Sequence, residues 1–169
     1  NQGETPAKQD VNQLFWRELR QPTWFTPSLT LTETGSGVHL KWSACLDPYP
    51  ADNTTGYIVV RIEKAFIATA TAPVDGKIYN TGDALGSGKV VMSRQGSFNL
   101  EYDDNFTFKC GEEFVYRVYA FRYEASDDKD MDNTPLKGRG RSYNETAFAS
   151  AEILKPGPTK PVLKIVGGA

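Results

Sequence analysis

The stretch GEEFVYRVYAFRY, residues 111–123, decides the fold class of this chain. Along one face its apolar side chains recur at every second position, as Phe114, Tyr116, Val118 and Ala120. A period of two over this length is typical of a β-strand with one face in a core. Two further stretches share the period, GVHLKWSA at residues 37–44 and TGYIVVRIEK at residues 55–64. Together they predict one small all-β sandwich of antiparallel strands.

The strand predicted at residues 55–64 is apolar on both faces. One face carries Tyr57, Val59 and Arg61, and the intervening residues form the other. This second face belongs to a predicted interaction patch that points away from the core. The patch comprises Ile58, Val60, Ile62, Val115, Tyr119, Phe121 and Phe148. A contiguous apolar surface of this kind is rarely left bare in a soluble monomer.

Two hypotheses account for the patch. In the first, the N-terminal segment or the insertion at residues 65–96 covers it within the chain. The covering side chains would then include Leu14, Phe15, Trp16 and Trp24. In the second, the patch docks a neighbouring domain or a partner protein. We favour internal covering because the unexplained aromatic residues and the unexplained patch fit each other.

Length and charge exclude several classes of function. The 169 residues suffice for one buried core with additions. A net charge of −2 argues against a general nucleic-acid binder, which normally carries a strong basic excess. The apolar runs are too short to cross a bilayer, so no membrane insertion is expected. The first ten residues lack the pattern of a signal peptide and are typical of a mature or trimmed end.

The pattern divides the chain into three parts. Residues 1–27 form an N-terminal extension with a short helix over residues 11–20, which ends before Pro22. Residues 28–154 form the sandwich, with a long insertion after the third strand. Residues 155–169 are a Pro-rich linker and the start of a following segment.

The sequence also predicts three further details of the sandwich. Residues 89–92 form a weak strand inside the insertion, and residues 103–105 form an acidic turn. Residues 143–153 form one closing strand, with small alternating side chains at Ala147, Ala149 and Ala151.

The chain resembles a fibronectin type III domain. The family has a tryptophan on its second strand, matched by Trp42, and a Gly-Tyr-x-Val third strand, matched by residues 56–59. Its sixth strand follows the frame of FKCGEEFVYRVYA at residues 108–120, although Phe114 replaces the usual tyrosine of the corner motif. The resemblance implies an immunoglobulin-like sandwich of seven strands in which the corner hydrogen bond is missing or replaced.

A narrower resemblance lies in the insertion. APVDGKIYNTGDALGSGKVV, residues 72–91, is similar to an insertion of fibronectin-like modules in secreted, multidomain bacterial surface proteins. The matching positions are Pro73, Asp75, Gly76, Tyr79, Gly82 and Asp83. This resemblance implies a secreted or cell-surface location, and neighbouring domains or another surface protein as partners.

Two loop motifs partly match known ligand-binding sequences. LGSGKV at residues 85–90 lacks the first glycine and the Ser or Thr of a phosphate loop, so its glycines are interpreted as turn residues. Asp128, Asp130 and Asp132 match the first half of a calcium loop. Arg139 occupies the position of the bidentate glutamate, so we expect no cofactor and keep calcium as the alternative.

No catalytic group emerges from the pattern. His39 is the only histidine, and with no partner pattern in the sequence it is predicted to be an ordinary surface residue on an outer face. Cys45 and Cys110 are expected at opposite ends of the sandwich, too far apart for a disulfide. The adjacent carboxylates of Asp103 and Asp104 are explained more simply by turn chemistry than by acid–base catalysis.

The sequence therefore predicts a protein that is not an enzyme, a structural or interaction module acting as a spacer or docking domain. A carbohydrate-binding module that uses loop aromatics, with or without calcium, is the alternative. Its candidate aromatics are Tyr49, Tyr79, Tyr123 and Tyr143. A weaker alternative is an accessory domain of an extracellular enzyme.

Overall fold

A computed structural model describes residues 22, 26–45, 55–96, 99–123 and 141–157. This part of the chain contains nine strands and one 3₁₀ helix, Lys64–Thr69. The strands are β1 (Leu29–Thr34), β2 (Gly37–Trp42), β3 (Thr55–Glu63), β4 (Ala84–Leu85), β5 (Gly88–Gln95), β6 (Glu101–Asn105), β7 (Glu113–Tyr123), β8 (Arg141–Tyr143) and β9 (Ala149–Leu154). The prediction of an all-β chain is confirmed.

The strands form two antiparallel sheets. The first contains three strands in the order β1-β2-β6. The second contains six, in the order β4-β5-β3-β7-β8, and β9 also pairs with β7. The pairing of β3 with β7 extends over nine residues, from Thr55 opposite Arg122 to Glu63 opposite Phe114. The arrangement is β-sandwich-like, as the alternating pattern predicts.

The inner core lies between the two sheets. Val38, Leu40 and Trp42 of β2 face Tyr57 and Val59 of β3, and the apolar side chains of β7 complete the same cluster. The other face of β3 belongs to a second cluster, on the outer side of the six-stranded sheet. The assignment of alternate residues of β3 and β7 to opposite faces is therefore confirmed.

Two predicted details of the strands are corrected. The weak strand at residues 89–92 is a full strand of eight residues, β5, which pairs with β3 along most of its length. The predicted acidic turn at residues 103–105 belongs to β6, which pairs with β2. Acidic residues disfavour strands only weakly, and the pairing with β2 overrides that preference here.

The predicted closing strand is interrupted. Asn144 lies between β8 and β9, and its side-chain oxygen accepts hydrogen bonds from the backbone N–H groups of Thr146 and Ala147, at 3.3 and 2.8 Å. The Asn144 N–H still donates to the Ala120 carbonyl of β7 at 2.9 Å, and this local turn then interrupts the pairing with β7 until Ala149. Two short strands therefore follow β7 where one long strand was predicted.

The chain enters the sandwich at one end and leaves it at the opposite end. The Thr26 carbonyl accepts a hydrogen bond from Ser43 at the end of β2, near the start of β3. At the other end, the Lys155 N–H donates to the Glu112 carbonyl beside the start of β7. The predicted helix at residues 11–20 lies outside the described residues, as do residues 1–21 and 158–169 generally. Among the helices of the described part, none is long and apolar enough to span a membrane.

Candidate functional site

The predicted patch is buried by the chain itself. Ile58, Val60 and Tyr119 have at most 1% of their surface exposed, and Phe148 is half-buried. They pack with Tyr79 and Leu85 in the outer cluster, against which residues 67, 70 and 72 also lie. We call residues 64–87 the covering segment. Of the two hypotheses for the patch, the described structure thus corresponds to covering within the chain, by the insertion.

At one edge of the six-stranded sheet, the covering segment binds β8. The Gly76 N–H donates to the Arg141 carbonyl at 2.9 Å. The Asp75 carboxylate accepts from the Tyr143 N–H at 2.6 Å, and the Tyr143 hydroxyl donates to the Lys77 carbonyl at 3.0 Å. These bonds use backbone groups that a bare edge strand leaves unpaired.

At the opposite edge, the covering segment binds β5. The Gly82 N–H donates to the Val90 carbonyl, and the Val90 N–H donates to the Asp83 carbonyl, both at 2.8 Å. β4 then continues the pairing with β5. Eight extended residue steps, from Asp75 to Asp83, could span about 26 Å, whereas the three inter-strand spacings from β8 through β7 and β3 to β5 come to about 14 Å. The segment is therefore long enough to cross from β8 to β5, with length left for the turns closed by the Lys77 N–H on the Val74 carbonyl and the Asp83 N–H on the Asn80 carbonyl.

The middle of the crossing is held by Tyr79. Its ring is buried against Tyr143, with the ring centroids 5.8 Å apart. Its carbonyl accepts from Ser93 Oγ of β5 at 2.7 Å and from the Arg141 guanidinium of β8 at 3.2 Å. Arg141 also lies over the Phe121 ring, 4.1 Å from its centroid. Side chains of β5 and β8 thus both donate hydrogen bonds to the Tyr79 carbonyl, which lies over the apolar outer face of the six-stranded sheet.

The motif in the insertion consequently has a structural explanation. Pro73 is buried, Tyr79 anchors the crossing, and Asp75 bonds the edge strand β8. The Asp83 carboxylate accepts from the Asn80 N–H at 2.8 Å and shapes the turn before β4. Each polar group of the motif named here is engaged within the domain, which favours a structural role over ligand binding.

A buried ion pair lies between the two sheets. Arg61 Nη1 of β3 lies 2.7 Å from Asp104 Oδ2 of β6, and the Tyr116 hydroxyl donates to the same oxygen at 2.8 Å. The guanidinium also lies over the Phe106 ring, 3.8 Å from its centroid. Burial, reinforced by the negative charge of Asp104, raises the pKa of the Tyr116 hydroxyl.

Sequence reasoning missed this ion pair. Its signal was the position of Arg61 on the same face as Tyr57 and Val59, because a charged residue on a core face requires a buried partner. The partner was hidden because Asp104 was assigned to a turn.

The carboxylates of Asp103 and Asp104 cannot act as a pair. They lie in β6, so their side chains point to opposite faces of the three-stranded sheet. Asp103 is exposed, and its Oδ1 lies 2.7 Å from His39 Nδ1. His39, predicted to be an ordinary surface residue, thus contacts an exposed carboxylate that the sequence pattern did not indicate. Within the described ranges no group of three His, Cys, Asp or Glu side chains is arranged to hold a metal ion.

The remaining candidates do not assemble into a site. Tyr79 and Tyr143 are buried and present no ring to a sugar, and Tyr123 is half-buried. Phe66 is the only exposed aromatic side chain in the part of the chain that the structure describes. Tyr49 and the predicted calcium ligands Asp128, Asp130 and Asp132 lie outside the described residues.

The two cysteines and the glycine-rich loop show no ligand chemistry. Cys45 is buried and Cys110 is exposed, and the two do not form a disulfide with each other. Residues 85–90 form the tight connection between β4 and β5, with Gly86 at a φ of 58°. A left-handed conformation of this kind is typical of a hairpin turn, in agreement with the interpretation of its glycines as turn residues.

Comparison with known protein families finds no matching family model, and comparison with curated proteins finds no match.

Proposed function

We propose that the chain is a fibronectin type III-like module of a secreted or surface-attached bacterial protein, with a non-catalytic role as a spacer or docking domain. The strand order supports the fold assignment, because a three-stranded sheet β1-β2-β6 faces strands ordered β5-β3-β7 and then β8 and β9. Trp42 in the inner core and Gly56 at the start of β3 match the family pattern. A side chain at Gly56 would overlap the Phe121 ring.

The corner before β7 supports the same assignment despite its departure from the family. Phe114 replaces the tyrosine, and its ring packs on Phe106 and Phe108 with centroids 5.3 and 5.5 Å apart. Lys155 lies over the Phe108 ring, 5.5 Å from its centroid. Aromatic packing thus occupies the place of the corner hydrogen bond.

The observation that carries the spacer role is the position of entry and exit at opposite ends of the sandwich. Thr26 lies at the end where β3 begins, and Lys155 lies beside the start of β7 at the other end. The nine residues of β3 between these ends span about 30 Å. The covering segment closes the outer face of the larger sheet, so that face needs no partner to bury it.

The location and the partners follow from the resemblance of the insertion to those of bacterial surface modules. Neighbouring domains of the same protein, or another surface protein, are the proposed partners. The carbohydrate-binding alternative now depends on residues outside the described ranges, namely Tyr49 and the acidic loop at residues 124–140. It stays a hypothesis, as does the accessory domain of an extracellular enzyme.

The spacer role is tested by attaching one compact reporter domain to each end of the chain. A spacer is expected to increase the maximum dimension in small-angle scattering by about 30 Å over the two reporters joined directly. The control is the same fusion with the substitutions Leu40→Ala and Tyr79→Ala, which destabilise the packing of the sandwich. An increase well below the strand length would place both attachment points at one end and overturn the spacer role.

The binding alternatives are tested by the thermal midpoint of the chain in calcium, in chelator and with soluble polysaccharides. A ligand at about 100 times its dissociation constant stabilises by about 2.7 kcal/mol, which is a shift of several degrees. A spacer is expected to show no shift. A reproducible shift with one sugar or with calcium would replace the spacer role by a binding role.

A further inference from the structure

The chain contains three asparagines in the pattern N-x-[ST], at Asn53, Asn105 and Asn144. This pattern is the acceptor sequence for N-linked glycosylation, and its usual place is the surface of a secreted protein. Asn53 lies outside the described residues. The other two differ sharply in environment, so the structure separates them.

Asn105 is exposed at the last position of β6. Its side-chain oxygen accepts a hydrogen bond from Ser36 Oγ at 3.1 Å. This bond positions the side-chain amide through its oxygen and does not involve its nitrogen. Its cross-strand partner is Gly37, which has no side chain to crowd the amide. The nitrogen of the amide is the atom that glycosylation modifies.

The residues that follow place the whole acceptor sequence at the surface. Phe106 turns inward, where its ring lies 3.8 Å from the Arg61 guanidinium carbon and 5.3 Å from the Phe114 ring. Thr107 is exposed. Asn105 and Thr107, the two residues that define the acceptor, are thus both presented to solvent.

Asn144 has the opposite environment. It is buried, its oxygen accepts from the N–H groups of Thr146 and Ala147, and its nitrogen donates to the Pro22 carbonyl at 2.7 Å. A sugar would replace one of the two hydrogens of this nitrogen and would have to occupy a packed region. The two acceptor sequences thus form a matched pair within one domain.

We propose that Asn105 is a site of N-linked glycosylation in the folded domain and that Asn144 is not. The co-substrate is an oligosaccharide linked to a polyprenyl pyrophosphate. Asn105 Nδ2 forms a bond to C1 of the first sugar, and the bond from C1 to the pyrophosphate oxygen breaks. The nitrogen loses one proton to a base of the transferase, the lipid pyrophosphate leaves with the bonding electrons, and no group is oxidised or reduced.

In a cell this modification rests on the proposed secreted location, but the acceptor itself is tested in a purified system. The folded chain carrying Asn53→Gln is incubated with a single-subunit oligosaccharyltransferase and its lipid-linked oligosaccharide. Intact-mass measurement is expected to show the addition of one oligosaccharide, and peptide mapping is expected to place it on Asn105. The variants Asn105→Gln and Thr107→Ala, each in the same background, should abolish the addition.

Synthetic peptides covering residues 101–109 and residues 140–148 provide the control for the enzyme. Both are expected to be modified, which attributes the protection of Asn144 in the folded chain to burial. An unmodified folded chain beside a modified Asn105 peptide would overturn the proposal, and so would an oligosaccharide on Asn144 of the folded chain. Either result leaves the spacer role intact, because that role is measured by scattering.

Discussion

The two faces of the six-stranded sheet are buried in different ways. The inner face packs on a second sheet, so both walls of that core are strands with alternating side chains. The outer face packs on the covering segment, which is strand only at Ala84–Leu85. Strands satisfy their backbone groups in the ladder, whereas an irregular cover must find partners one group at a time.

This difference explains where polar side chains are used. On the outer face, Asp75, Ser93 and Arg141 each bond a backbone group at the interface of the covering segment with the sheet. Between the sheets, the Arg61–Asp104 pair joins two side chains and is bonded to a third side chain, the Tyr116 hydroxyl. We therefore expect core substitutions between the sheets to unfold the whole domain and substitutions at the cover to loosen it locally.

The largest effect is expected from Asp104→Ala. It leaves the partly buried Arg61 guanidinium and the buried Tyr116 hydroxyl without their partner, which should lower the free energy of unfolding by about 3 kcal/mol. Urea unfolding measures this change. Asp103→Ala is the matched control, because the neighbouring carboxylate is exposed and should contribute only about 0–1 kcal/mol. Equal effects at the two positions would contradict the assignment of their side chains to opposite faces.

Alanine substitutions of one buried and one exposed leucine measure how much apolar burial contributes to the free energy of unfolding. Leu40 is 0% exposed between the sheets, whereas Leu154 is 55% exposed at the end of β9. Leu40→Ala should cost about 3 kcal/mol, because it removes buried surface and leaves a cavity. Leu154→Ala should stay within about 0.5 kcal/mol. Chemical denaturation of both variants in parallel decides the point, and a small effect at Leu40 would mean that the two sheets pack loosely.

The ionisation of buried tyrosines at alkaline pH allows the two faces of the six-stranded sheet to be compared. Burial raises the pKa of Tyr116 on the inner face and of Tyr143 on the outer face. The folded state therefore holds these protons more tightly than the unfolded chain, whose tyrosines ionise near pH 10. Their stabilising contribution is complete below that pH and is lost as the pH rises towards the folded pKa. Each should reduce the free energy of unfolding by up to about 1.4 kcal/mol per pH unit.

Urea unfolding between pH 9 and 11 (roughly the range in which tyrosine begins to ionise) measures this slope. Tyr116→Phe and Tyr143→Phe should each make the slope shallower than in the parent chain. If Tyr143 ionises at lower pH than Tyr116, as followed by ultraviolet absorbance, the cover opens before the sheets separate. A parent slope unchanged by either variant would contradict the burial of these hydroxyls.

The smallest effect is expected at the contact of the covering segment with β8. Asp75→Ala removes the acceptor of the Tyr143 N–H and should cost about 1 kcal/mol. Hydrogen exchange should accelerate at the Tyr143 amide and leave the amides of β2 unchanged. Asp75→Asn keeps an acceptor oxygen and should restore most of the protection. Faster exchange throughout the domain would show that the cover and the inner core open together.

The sequence predicted the features that depend on local alternation. The two faces of β3 and β7 and the membership of the inner core all follow from a period of two, which geometry imposes on every strand. The acidic turn and the single closing strand were wrong, whereas the strand predicted at residues 89–92 is present and extends over Gly88–Gln95. For β5 and β6 a partner distant in sequence decided the outcome, β3 and β2 respectively, whereas the last strand is interrupted locally by the side chain of Asn144.

The candidate site shows the same division. A motif that includes Pro73, Tyr79 and Asp83 marked the insertion as a distinct unit, but no periodicity indicated that it crosses the sheet. That crossing depends on the distance between β8 and β5, which exists only once the sheet has formed. The pairing of His39 with Asp103 likewise arises from the register of β2 against β6.

By itself, the sequence determined that this protein is an antiparallel all-β chain with one strand pair apolar on both faces. Alternation of side chains is a local property of the backbone, so a single chain carries that information. Only the tertiary structure decided which segment covers the outer face, which carboxylate is buried with Arg61 and which asparagine is exposed. Those outcomes depend on the register and on distances between residues far apart in the chain, because a shift of one residue exchanges the two faces of a strand.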